Sequence, residues 1–81
     1  MDIHHLLRMA NQIGTFFEAM PERDQALQEV AQHLRKFWEP RMRRELLAHL
    51  DAGGAGLRPI VADALRAHRA LVEPPAATSD S

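Results

Sequence analysis

Asp2-Ile3-His4-His5-Leu6-Leu7-Arg8-Met9-Ala10-Asn11-Gln12-Ile13-Gly14-Thr15-Phe16-Phe17-Glu18-Ala19-Met20 is the stretch that decides the fold class. At about 100° per residue, Ile3, Leu6, Leu7, Met9, Ala10, Ile13, Phe16, Phe17 and Met20 fall on one side of a helix. His4, Arg8, Asn11, Gln12, Thr15 and Glu18 fall on the other. Asp2 stands where its carboxylate can cap the first free N–H groups and meet the positive end of the helix dipole. The spacing predicts a helix from Asp2 to about Ala19. Its apolar arc covers roughly half the circumference, wider than the ~100° stripe of an ordinary surface helix. Such a helix is expected to touch more than one neighbour.

Prolines and glycines divide the rest of the chain in the same manner. Pro21 disfavours helical geometry in the residue before it and suits the first turn of a new helix. Glu22 and Asp24 follow in that turn, where negative charge is favoured. Leu27, Val30, Ala31, Leu34, Phe37 and Trp38 form the second apolar stripe, opposite Gln25, Gln28, Glu29, Gln32, Arg35 and Lys36. Pro40 opens a third helix to about Asp51, carrying Met42, Leu46, Leu47 and Leu50. Gly53-Gly54-Ala55-Gly56 ends it, because glycine accepts the left-handed conformation of a helix C-cap. Pro59 opens a fourth helix to about Val72, with Ile60, Val61, Ala64, Leu65, Leu71 and Val72 on one side. The polar, proline-containing end after Glu73 reads as disordered. The expected architecture is therefore all-α: a small bundle of three to four short helices in one domain, residues 1–73, with a disordered tail, 74–81.

Size and composition restrict what such a bundle does. A chain of 81 residues holds one small core, worth about 3–5 kcal/mol without staples. It has no cysteine for a disulfide or a thiolate metal site. A cysteine-free chain fits a reducing cytoplasm. The formal net charge of −1 gives no global field to gather nucleic acid or an anionic membrane. No apolar run approaches the roughly 20 residues of a membrane span, and the N-terminus lacks the pattern of a signal peptide. With 46% hydrophobic residues, a core this small points to a partner that completes the structure.

Catalytic and metal-binding patterns are missing from the sequence. His4 and His5 are adjacent and point about 100° apart on a helix. His33, His49 and His68 belong to three different helices, and no His-x-x-x-His or Glu-x-x-His motif occurs. The glycines follow a helix and precede Leu57-Arg58-Pro59, which is not the strand–loop–helix context of a phosphate loop. Thr15 lies on a wet face and Ser79 and Ser81 in the tail, so no nucleophile–base–orienter set forms. The chain is expected to be no enzyme by itself, with no cofactor or metal of its own.

The informative stretch is Arg35-Lys36-Phe37-Trp38-Glu39-Pro40-Arg41-Met42-Arg43-Arg44, where five cations surround a Phe and the only Trp. It reads as a solvated basic corner over core aromatics, as a nucleic-acid patch, or as a protein-docking patch, since Trp and Arg are enriched at interface hot spots. Arg43 falls inside the apolar arc of the third helix, and His68 in the middle of that of the fourth. Arg43 either snorkels, with its head in water, or offers its fork to a partner carboxylate. His68 is either a hydrogen-bonded core imidazole or part of an arc that this chain alone does not cover.

Three segments carry a family resemblance: Met9-Ala10-Asn11-Gln12-Ile13-Gly14-Thr15-Phe16-Phe17, His33-Leu34-Arg35-Lys36-Phe37-Trp38-Glu39-Pro40-Arg41-Met42-Arg43, and Gly53-Gly54-Ala55-Gly56-Leu57. In order and spacing they resemble the delta subunit of NAD-dependent formate dehydrogenases, from about Leu6 to Leu71. The central segment is the specific one, although Glu39 stands where the family often has Asp. The resemblance implies a non-catalytic accessory subunit of a cytoplasmic complex that oxidises formate to carbon dioxide and reduces NAD. It implies that the partner subunits carry the molybdenum or tungsten bis-pterin cofactor, the iron–sulfur clusters and FMN. It implies docking on the catalytic alpha subunit, and through it on the beta and gamma subunits, in support of assembly, stability or cofactor retention.

The residues expected at that interface are Asn11, Gln12, Phe37, Trp38, Arg41, Arg43 and Arg44. Asn11 and Gln12 are included as an amide pair with no local capping role; plain solvent exposure is the alternative for them. Two rival functions remain. A free-standing nucleic-acid-binding or regulatory protein would use Arg35, Lys36, Arg41, Arg43 and Arg44 on phosphates, with steep salt dependence. A maturation chaperone would leave the finished complex.

Overall fold

A computed structural model of the chain describes residues 2–75. Helices α1 (Ile3–Phe17), α2 (Arg23–Phe37), α3 (Pro40–Asp51), α4 (Pro59–Ala67) and α5 (Arg69–Val72) follow in order, with no strand among the described residues. The all-helical architecture is as the sequence implies. Most of the expected tail, residues 76–81, lies outside the described residues. Of its described part, Pro74 is buried and Pro75 exposed.

Each boundary has a local cause. At the start of α1, Asp2 Oδ1 accepts a hydrogen bond of 3.1 Å from His4 N–H. The second helix begins at Arg23, later than Pro21 suggested, because Glu22 keeps an extended backbone (φ −95°, ψ 110°). Pro40 and Pro59 occupy the first helical positions of α3 and α4, where the missing N–H costs nothing. Gly54 and Gly56 have φ of +67° and +87°, left-handed values that turn the chain between those helices.

One core joins all five helices. Leu6 and Ala10 of α1, Val30, Ala31 and Leu34 of α2, Leu46 and Leu47 of α3, Ile60, Val61 and Leu65 of α4, and Val72 of α5 are buried in it. Helix α2 packs on α1, α4 and α5, and α1 packs on α2, α3 and α4. The wide arc of α1 is thus shared among three neighbours. Where α1 crosses α4 the helices touch backbone to side chain: a Cβ added to Gly14 would lie 2.6 Å from Val61 Cγ2 and 2.9 Å from Ile60 Cγ2.

The expected fourth helix breaks at His68, which has φ −126° and ψ 40°. A continuous helix would drive the imidazole into the middle of the apolar arc, at the cost of desolvating a polar ring. With the break, His68 is half-buried while Val72 is fully buried.

Candidate docking surface

The outer side of α1 and α2 carries a row of rings. Phe16 and Phe17 meet edge to face at 4.9 Å and Phe17 and His33 at 6.2 Å, while His33 and Phe37 lie tilted at 4.7 Å between ring centroids. Phe16 is 74% exposed and Phe37 69%. Gln12, Ile13, Phe16, Phe17 and His33 line a groove of about 350 Å³ beside this row. The groove forms because Phe16 lies at the outer edge of the α1 arc and Phe37 at the last turn of α2, beyond the reach of the bundle. Exposed aromatic rings with few rotatable bonds lose little entropy on contact, which suits them to anchor an interface.

Sequence reasoning placed Phe16 and Phe37 on apolar stripes and did not single out Phe16, Phe17 or His33 as a surface. The available signal was the breadth of the α1 arc, wider at its C-terminal end than the bundle fills. Of the residues expected at an interface, Gln12 and Phe37 are exposed and belong to this face. Arg41 is exposed, 3.8 Å from Glu45 one helical turn on. Arg44 is exposed with no carboxylate partner among the described residues.

Trp38 and Arg43, expected at a partner surface, are instead packed into the chain itself. Trp38 is 7% exposed and caps α2, its backbone N–H donating to Leu34 O. Arg43 is 8% exposed, so its head does not snorkel out into water, and two of its three guanidinium nitrogens are bonded within the chain. Its Nε donates to Trp38 O at 3.2 Å and its Nη1 to Val72 O at 3.0 Å. These carbonyls end α2 and α5, where the helix dipoles favour a cation. Arg35 Nη1 reaches the neighbouring carbonyl, Leu71 O, at 3.4 Å. Burial holds the Arg43 guanidinium below its ordinary pKa, and the nearby charges of Arg35 and Arg44 push the same way.

Asn11 is neither plainly solvated nor free for a partner: it has a long-range role within the chain. Its Nδ2 donates to Gly56 O at 2.9 Å, and its Oδ1 accepts from Arg58 N–H at 2.9 Å. The side chain is half-buried and pins the α3–α4 loop to α1, holding the entry of α4 against the crossing at Gly14. An ion pair between Arg58 and Glu18 closes the same end. Arg69 makes a bidentate pair with Asp51 at 2.9 and 2.8 Å, tying α5 to the last residue of α3.

Among the described residues no three His, Asp or Glu side chains gather as a metal site, and no helix is long and apolar enough to cross a membrane. The surface presents contact chemistry: rings, cations and amides on rigid helices. No curated protein and no solved structure matches the chain. The model of the NADH-dependent formate dehydrogenase delta subunit family, FdsD, matches residues 5–65, through four of the five helices, and the chain belongs to that family.

Proposed function

We propose that this delta subunit is a non-catalytic accessory subunit, which docks its aromatic row on the catalytic alpha subunit of a cytoplasmic formate dehydrogenase. The molybdenum or tungsten cofactor, iron–sulfur clusters and FMN that carry electrons from formate to NAD belong, in this reading, to the alpha, beta and gamma subunits. The delta subunit supports assembly, stability or cofactor retention around them. The observation that carries the reading is the exposure of Phe16 and Phe37 beside an open groove, on a bundle whose core is already closed without them. A bundle this small loses solubility by leaving two large rings in water, and covering them on a partner offsets that cost.

The test is co-expression of the complex with and without the delta chain. A tagged delta chain is expected to retain the alpha subunit through purification. Omitting it is expected to lower the yield or metal content of the assembled enzyme while leaving activity per bound metal unchanged. A full yield of metal-replete complex without the delta chain, or a purified complex from which the chain is absent, would refute the proposal.

A further inference from the structure

We propose that a second cleft, lined by Arg35, Arg43, Ala70, Glu73 and Pro75, receives one Asp or Glu side chain of the contacting formate dehydrogenase subunit. The proposal rests on the accessory-subunit reading and adds a second contact, of stated chemistry, to the aromatic row.

The distribution of ion pairs singles out this corner. Arg23, Arg41, Arg58, Arg66 and Arg69 each meet a carboxylate of the chain within 4.0 Å. Apart from Arg8, the Arg and Lys side chains that meet none among the described residues are Arg35, Lys36, Arg43 and Arg44, all from one stretch of ten. Arg35 and Arg44 each lie close enough to Arg43 to act on its charge. Helix ends account for some of this charge: the C-termini of α2 and α5 contribute at most about half a negative charge each, and Glu73 adds one. Three cations against about two negative charges leave roughly one positive charge uncompensated.

The cleft has the donors and the room for one carboxylate. Its volume is about 370 Å³. Arg43 gives Nε and Nη1 to carbonyls, and its Nη2 takes no partner among the described residues yet is not sealed from solvent. Arg35 spends a single long bond on Leu71 O, so most of its fork is free. Glu73 lines the cleft but lies beyond 4.0 Å of either guanidinium, so it does not fill the role itself. A buried arginine held only by neutral carbonyls gains from a charge-assisted bond more than an exposed one does.

The test uses the full complex and a zero-length carbodiimide cross-link, which joins an amine directly to a carboxylate. Arg35→Lys places an amine at the cleft without removing the charge. The expected product links position 35 to an Asp or Glu of another subunit, identified by mass spectrometry. Alongside it, the exposed double change Arg35→Gln with Arg44→Gln is expected to weaken association with the other subunits about tenfold or more and to flatten its salt dependence, while the isolated chain melts no lower than wild type. A link only to Glu73 or to other carboxylates of the chain, or unchanged affinity and salt slope in the double variant, would overturn the proposal. So would salt-sensitive oligonucleotide binding that the double variant abolishes while subunit binding stays intact. If the unaltered chain fails to associate at all, the accessory-subunit reading has failed; if it associates and these variants behave as wild type, only the cleft has.

Discussion

Replacing Asn11 by Ala removes both hydrogen bonds that hold the α3–α4 loop against α1. A neutral bond contributes about 0.5–1.5 kcal/mol net, so two contribute about 1–3 kcal/mol. Because the side chain is half-buried, water replaces part of each bond, and the lower half of that range applies. For a domain of this size each kcal/mol moves the melting temperature by about 4–8 °C. Asn11→Ala is therefore expected to melt roughly 5–15 °C below wild type by circular dichroism, with helix content retained below the transition. Asn11→Asp sharpens the test. A carboxylate still accepts from Arg58 N–H, but it sets a negative oxygen against Gly56 O, where the amide donates. It is expected to destabilise more at neutral pH than in acid, where a protonated carboxyl can donate again. An Ala variant melting within about 2 °C of wild type, less than a 1 kcal/mol loss produces, would refute the tether.

Gly14→Ala gains about 1 kcal/mol of helix propensity but drives a methyl into Val61 and Ile60, both fully buried, at an overpacking cost of about 1–3 kcal/mol. Chemical denaturation is expected to show a net loss of about 1 kcal/mol and a larger one for Gly14→Val; a stabilised Ala variant would contradict the close crossing. The hydrogen bond from Arg69, aided by its charge, holds the Asp51 carboxyl below its ordinary 3.8. The folded chain therefore binds that proton less readily than the unfolded chain, and the pair stabilises above the ordinary carboxylate pKa. That stability is lost as pH falls through the depressed folded value. Melting curves of wild type and Arg69→Gln are expected to differ at neutral pH and converge in strong acid; a gap that persists below both pKa values would count against the pair.

The helix pattern was legible because it is written in local chemistry: apolar spacing, an Asp cap, prolines at first turns and glycines after α3. What the sequence hid depends on contacts between distant segments. Asn11 looked idle because its partners, Gly56 and Arg58, come from a loop far along the chain. The head of Arg43 looked wholly free because nothing local shows that Val72 O, 29 residues on, joins Trp38 O in binding it. Trp38 was read as a hot spot by residue type, yet it is buried, and truncating a core aromatic costs about 3–5 kcal/mol of stability whatever it does at an interface. Phe16 and Phe37 sit at helix ends, where periodicity continues but the bundle does not, so the stripe overstated their burial. The break at His68 had a visible cue, a polar ring in the middle of an apolar arc, although periodicity favoured continuing the helix.

The account turns on the aromatic row, and one affinity tests it most directly. The dissociation constant of the delta chain for formate dehydrogenase lacking it should be compared between wild type and the Phe16→Ser, Phe37→Ser double variant. Both rings are exposed, so the variant is expected to stay folded. Hot-spot residues cost about 2 kcal/mol or more when truncated, which weakens binding by roughly 30-fold or more. A folded double variant that binds as tightly as wild type would contradict docking through this face.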